Sequence, residues 1–339
     1  MNPSANKVIL FDCDTGSDDA IALMMLLRAT LDKQVKTVAI TCVDGNTILY
    51  NVLRNNLRIL KLYNLIGKVP IYRGATGPLL SAGSSDPRSL VEGMHGGDGM
   101  GGMPHVAPVF CEGMLDNVET DHAVNAIIRL AKKYKKQLTV VAVGPLTNLA
   151  LAVRLDPKLP QRIKNLYIMG GTSKSEGNVS PNVEFNFLYD PEAAHIVMQE
   201  FLPYCDTYLT DLELTMENPL DFRWIEDEWL GKQRNCKEKF ALAVLSTRIA
   251  WDQLHHPMEG CTICDAYCMA MVLDPTFASY PEKHFVNVEL AGNISRGHLV
   301  YNKKGCKFPG FVGPITIYKE LNMHKYRVLL KNAVRGSSD

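Results

Sequence analysis

The sequence predicts an α/β fold built on a parallel sheet, and three observations carry that prediction. Short apolar runs alternate with longer helical patterns through the first two-thirds of the chain. Several of those runs stop abruptly at polar or glycine residues, which would deliver their side chains to one rim of a sheet. The first run, Val8 to Phe11, ends in the acidic stretch Asp12-Cys13-Asp14-Thr15-Gly16-Ser17-Asp18-Asp19, and a second apolar run, Ala20 to Leu27, follows at once.

That first unit reads as strand, acidic turn and helix, with Ser17 or Asp18 placed to cap the helix. Four carboxylates in eight residues repel one another unless a cation holds them, and hard oxygen donors suit Mg²⁺ or Ca²⁺ better than zinc. A solvated acidic loop is the plainer alternative. The position between two apolar runs, where a parallel sheet places its ligands, favours a site.

The remaining elements follow in order. Thr37 to Val43 is a strand ending in Asp44-Gly45-Asn46, Asn51 to Tyr63 a helix, and Val69 to Tyr72 a strand. From Gly74 to Gly113 the periodicity dissolves into a glycine-rich segment containing Met94-His95-Gly96-Gly97. Loops of that length are commonly lids or binding loops, and no Gly-Lys-Ser/Thr follows to make a phosphate loop. The segment is read as a mobile flap, with His95 the side chain best placed to reach inward; an idle exposed histidine is an equal alternative. Asp121 to Lys133 is a helix capped near Thr120, Leu138 to Val143 a fully apolar strand, Leu146 to Val153 a helix, and Ile163 to Met169 a strand. Asn178, Glu184 and Asn186 fall in a loop before a helix opened by Asp190 and Pro191. If locally extended, residues 184 and 186 would point one way, an arrangement suited to vicinal hydroxyls; simple Asx-turn chemistry is the alternative. Phe201 to Asp211 holds a strand, and 216 to 253 reads as mostly helical, with Trp224, Trp229 and Trp251 along it. Core packing explains most such tryptophans, though Trp251 is also a candidate to stack on a ring. Strands at 285–290 and 298–301 and a final helix complete the pattern, with no linker or repeat dividing the 339 residues, so one domain spanning 1–339 is expected.

Composition narrows the function classes. Lys plus Arg equals Asp plus Glu at 36 each, so no net field draws the chain to nucleic acid or an anionic membrane. No apolar run spans a bilayer, and the N-terminus lacks a signal-peptide core. Nine scattered cysteines read as reduced thiols, which points to a cytoplasmic enzyme. Cys261, Cys264 and Cys268, following His255 and His256, suggest zinc at first sight. Their spacing instead lines one helix face, and buried small side chains are the preferred reading. Asp265, amid apolar neighbours, is costly to bury without a cation or hydrogen-bond donors, and is a plausible distant ligand for a metal at Asp14 and Asp19.

Several motifs together resemble the nucleoside hydrolases of the inosine–uridine type: DCDTGSDDA, VDGN, HGGDGMG, AVGPLTNLA, IMGG, GN followed by VEFN and DPEAAHIV, and CDAYCMAMVLDP. The resemblance runs over about residues 7 to 330. It implies a doubly wound, mostly parallel sheet flanked by helices, a Ca²⁺ ion at the strand ends, hydrolysis of ribonucleosides to ribose and free base in nucleoside salvage, and a homodimer or homotetramer. Carried over by motif, Asp14, Asp19, Asp265 and the Val143 carbonyl would hold the metal, and Asp14 would accept the proton. Asp18, Asn178, Glu184, Asn186 and Asp265 would grip ribose, with Asn46 and His95 as looser matches. One departure stands out: members known for this activity carry histidine directly before the last metal-ligating aspartate, as acid for the departing base, and here that residue is Cys264. A thiol is a poorer acid than imidazolium. The departure places the chain in a subgroup with cysteine at that position. Two rivals remain. A haloacid-dehalogenase phosphatase also begins strand–DxD but needs Thr or Val where Gly16 stands, and a non-catalytic nucleoside-binding protein is disfavoured by the retained Asp14.

Overall fold

In the computed structural model, residues 7–80, 86–231, 235–256, 260–302 and 308–336 are described. The chain runs β1 (Lys7–Cys13), α1 (Ser17–Leu31), β2 (Val35–Cys42), α2 (Leu49–Leu62), β3 (Ile71–Arg73), the short α3 (Glu92–His95), β4 (Val118–Glu119), α4 (Ala123–Lys133), β5 (Leu138–Ala142) and α5 (Thr147–Leu155). It continues through α6 (Leu159–Arg162), β6 (Asn165–Met169), α7 (Phe185–Tyr189), α8 (Pro191–Phe201), β7 (Asp206–Thr210), α9 (Leu212–Met216), α10 (Cys236–His255), α11 (Cys264–Leu273), β8 (Ala278–Val288), β9 (Leu299–Asn302), β10 (Pro314–Leu321) and α12 (Met323–Ala333).

The ten strands of the described residues join in one sheet of order β4-β3-β2-β1-β5-β6-β7-β10-β8-β9. The first eight positions are parallel, while β8 and β9 pair antiparallel at one end. This is the expected doubly wound α/β architecture. Strand β1 shows why it forms: Ile9 and Phe11 enter one buried apolar cluster, with α1, α10, α11 and α12, and Val8 and Leu10 enter the other, with α4, α5 and α8. A strand span buried on both faces favours apolar residues, which is the pattern Val8 to Phe11 carry. Winding outward from β1 goes to β2 on one side and to β5 on the other, so the topology reverses between β1 and β5. The carboxyl ends of these two strands, at Cys13 and Ala142, therefore flank the crevice where open α/β sheets bind ligands.

Local expectations need several corrections. Helix α1 is capped at Gly16, not by Ser17 or Asp18: the Asp19 carboxylate reaches back to accept the Gly16 N–H at 2.9 Å and the Asp14 N–H at 3.2 Å. Helix α4 starts later than expected, with His122 Nδ1 accepting from the Val124 N–H. Residues 184–186 are not extended, because Glu184 caps the five-residue helix α7. The 216–253 stretch is broken, with α9 ending at Met216, a π-helical turn over Trp224–Trp229 and then α10. The described part of the 74–113 segment is docked rather than free. Arg88 pairs with Asp44 at 3.0 Å, Asn55 donates to the Asp98 carbonyl at 2.8 Å, and Gly93 in α3 lies flush on the Trp251 ring, where a Cβ would sit 2.3 Å from a ring carbon.

Candidate active site

At the topological reversal the chain gathers carboxylates. Ligand atoms of Asp18, Asp19 and Asp265 lie within 4.8 Å of one another, all three side chains buried. Asp14 stands beside them, its Oδ2 accepting the Asn46 N–H at 2.6 Å. The room for it comes from two glycines at neighbouring strand ends: a Cβ on Gly45 would fall 2.2 Å from Asp14 Oδ2, and one on Gly144 would fall 2.6 Å from Oδ1. Those close approaches give the VDGN and VGP motifs a physical reason. Asn46 is wired in more tightly than a loose match, since its side-chain amide also donates to Asp19 Oδ2 at 3.2 Å.

Burial, and then repulsion from Asp19, raises the Asp14 carboxyl well above the ordinary range, and burial followed by the neighbouring aspartates does the same to Asp265. Asp19 is raised by burial and by Asp18. Asp14 Oδ1 and Asp18 Oδ1 are buried without a hydrogen-bond donor among the described residues. Buried carboxylate oxygens that face one another without donors are costly. Convergent, donor-poor oxygens of this kind are what a hard divalent cation requires, so the donor set fits one. Among the described residues no cysteine–histidine group gathers at metal-binding range. Cys264 instead is buried in contact with the Thr215 hydroxyl, 3.4 Å away, and burial pushes its thiol up to about 12.

A small cavity of about 30 Å³ opens on the carboxylates, and Asp18, Asn46, His95, Val143, Asn178, Glu184, Asn186, Cys264 and Asp265 all line it. The Asn186 amide donates to the Val143 carbonyl at 3.0 Å. Asn178 Oδ1 accepts the Phe185 N–H at 3.1 Å. Glu184 accepts three backbone N–H groups, from Gly171, Asn186 and Phe187, yet burial outweighs them and raises its carboxyl to about 7. His95 Nδ1 faces the Ser17 N–H at 3.2 Å and the Ser17 hydroxyl at 2.9 Å. A backbone N–H can only donate, so Nδ1 accepts and the ring proton sits on Nε2. Burial lowers the His95 pKa, which favours this neutral form.

Next to it lies a cavity of about 590 Å³ whose walls include Met94, Met216, Arg248, Trp251, Asp252 and His255. Trp251 lines it, stacked on His255 with ring centroids 3.8 Å apart. Trp224 and Trp229 stack on each other in the core. Sequence reading missed Met94, Thr215, Arg248 and Asp252. The Arg–Asp spacing of four on a helical stretch was the available signal for the last two.

This geometry can be set against known proteins. The family model for inosine-uridine preferring nucleoside hydrolases matches residues 9–328. The chain belongs to that family. It is 32% identical over 296 residues to the inosine-uridine preferring nucleoside hydrolase of Crithidia fasciculata, covering 87% of each chain. It is 33% identical over 298 residues to the enzyme of the same name from Leishmania major, again with 87% of each covered. Among solved structures, an inosine-guanosine nucleoside hydrolase superposes with a TM-score of 0.82 at 26% identity, over 96% of this chain and 98% of the other. The phosphatase alternative falls with this membership. No described helix of this nucleoside hydrolase is long and apolar enough to cross a membrane.

Proposed function

We propose that this nucleoside hydrolase cleaves the N-glycosidic bond of ribonucleosides with the help of a Ca²⁺ ion. The carrying observation is the convergence of Asp18, Asp19 and Asp265 at the strand ends, beside a cavity walled by Asn178, Glu184 and Asn186. Asp14, Asp19, Asp265 and the Val143 carbonyl would hold the cation, whose chemistry is to polarise water and orient ribose hydroxyls. Asp14, the carboxylate held between Gly45 and Gly144, accepts the proton of the attacking water. Water oxygen bonds to C1′, the C1′–N bond breaks, and the base leaves with the bonding pair. Positive charge developing on the ribose is stabilised by the surrounding carboxylates. Asp18, Asn178, Glu184 and Asn186 grip the sugar hydroxyls, and the cavity beside Trp251 receives the base.

The neutral His95, its proton on Nε2, serves as a hydrogen-bond donor in the pocket rather than as a source of an acidic proton. Cys264, buried against Thr215, shapes the pocket between sugar and base, in a subgroup defined by that thiol. The eight described cysteines are all free, in keeping with a cytoplasmic role in nucleoside salvage. The chain acts as one catalytic unit over 1–339, in a homodimer or homotetramer. A reducing-sugar assay on inosine, uridine, adenosine and guanosine, with Ca²⁺ and with a chelator, tests the reading. Ribose release that needs Ca²⁺ is expected; binding without release would make the chain a nucleoside-binding protein.

A further inference from the structure

Four residues line both the small cavity at the carboxylates and the larger one beside it: Met94, Asn178, Arg248 and Cys264. Arg248 is the only one that carries a permanent charge. It projects from α10, its residue only 6% exposed, with Nε donating to Asp252 Oδ2 at 2.9 Å. Asp252 is itself anchored, because the same Oδ2 accepts the Thr262 N–H at 3.1 Å. The other side of the guanidinium is left with little. One terminal nitrogen meets the Met94 sulfur at 3.7 Å, and among the described residues no second oxygen acceptor is bonded to it. A guanidinium offers five N–H donors in a planar fork, and among the described residues the bonds to Asp252 and the Met94 sulfur use only part of it. Because Arg248 lines both cavities, the rest of the fork is available to a ligand there.

We propose that Arg248 completes it on the departing base, contacting the O6/N7 edge of a 6-oxopurine, and that it thereby selects inosine and guanosine over adenosine. The inference rests on the hydrolase reading above and deepens it. When the C1′–N bond breaks, the bonding pair goes to the base and negative charge spreads to its ring nitrogens and carbonyl oxygen. A fixed cation with free N–H groups at that edge stabilises the charge without giving up a proton, and solvent supplies the proton after departure. The same fork reads the base, because O6 and N7 of a 6-oxopurine are two adjacent acceptors that match it bidentately. Adenine presents an amino donor in place of O6, so one arm of the fork would meet a donor. Cleavage of this bond needs help on both sides; the carboxylate cluster serves the sugar and Arg248 the base.

The test compares Arg248→Met, Arg248→Lys and the double variant Arg248→Met with Asp252→Asn, which removes the carboxylate that the single Met variant leaves unpaired. Each is assayed with Ca²⁺ on inosine, adenosine and p-nitrophenyl riboside, whose leaving group needs little stabilisation. The expected result is a loss of about 10²–10³ in kcat/KM on inosine, the effect of removing one preorganised donor of developing charge. Hydrolysis of p-nitrophenyl riboside should stay within about tenfold of the parent, and the inosine-to-adenosine ratio should fall toward one. Arg248→Lys, which keeps a charge beside Asp252 but not the fork, should also lose the ratio. Equal losses on all three substrates, in every variant, would overturn the proposal and leave Arg248 as the partner that holds Asp252 in place. So would a parent enzyme that cleaves adenosine as fast as inosine. If the parent cleaved neither p-nitrophenyl riboside nor any nucleoside, the hydrolase reading itself would fail, an outcome distinct from these.

Discussion

Withdrawing calcium should change stability by an amount and with a pH dependence that the carboxylate cluster dictates. Burial and mutual repulsion raise the carboxyls of Asp14, Asp19 and Asp265 above their ordinary range. Without the cation, the folded chain therefore binds more protons than the unfolded chain once pH passes the ordinary carboxylate value of about 4. Stability of the cation-free protein then falls as pH rises, until the raised groups have ionised. The proposed Ca²⁺ would reverse this, because it would bind the ionised cluster in the folded state alone. At a free concentration about a thousand times Kd, the linkage contributes about 4 kcal/mol. For 339 residues the unfolding entropy is about 0.7 kcal/mol/K, so Tm should rise by about 6 °C. Thermal melts in chelator and in millimolar Ca²⁺, at pH 5 and at pH 8, read this directly. The shift should be large at pH 8 and small at pH 5, where protons compete with the ion. A shift absent at pH 8, or larger at pH 5, would refute the assignment of the cluster to a cation.

Three further outcomes follow from the same geometry. The cavity at the carboxylates is lined by Asp18, Asn178, Glu184 and Asn186, so 2′-deoxyinosine should be cleaved with kcat/KM lower than inosine by up to about 10⁴; equal values would mean these groups do not hold the 2′-hydroxyl. Because burial keeps the Cys264 thiol protonated, Cys264→Ala should cost less than about tenfold, and equally, on inosine and on p-nitrophenyl riboside; a loss of about 10² confined to inosine would make the thiol the acid. Gly93→Ala puts a methyl into the Trp251 ring and should cost about 1–3 kcal/mol of overpacking or undock α3; faster hydrogen exchange over 92–98 with a raised KM checks it, and an unchanged exchange pattern would count against the docked arrangement.

Much of this was legible in the sequence because the central strands are buried on both faces. Val8 to Phe11 are apolar throughout and Leu138 to Ala142 are apolar but for Thr139, and their abrupt ends at Asp12 and Gly144 mark the rim. The antiparallel end of the sheet was harder to see. Strand β8 begins in an exposed, polar stretch with Pro281, and β10 alternates only over Pro314 to Tyr318 before the exposed Lys319 and Glu320, so each carries too short a pattern to stand out. Helix α7 escaped notice because five residues are too few for a 3.6-residue period, and its cap, Glu184, is a residue that also reads as a ligand-binding carboxylate. At the site, Asp14, Asp18, Asp19, Glu184, Asn186 and Asp265 could be named because they sit in compact motifs. Arg248 was not named: its spacing of four from Asp252 is a weak cue on a long helix, and only the folded chain shows it buried and facing two cavities.

Asp14, at the end of β1, is the proposed base of a cation-assisted hydrolase. Asp14→Asn keeps the size of the side chain and an acceptor for the Asn46 N–H while removing the basic oxygen. The decisive measurement is kcat on inosine for this variant, with Ca²⁺ occupancy determined on the same sample. A fall of about 10²–10⁴ with calcium still bound is the predicted result. Near-parent turnover with calcium bound would contradict it.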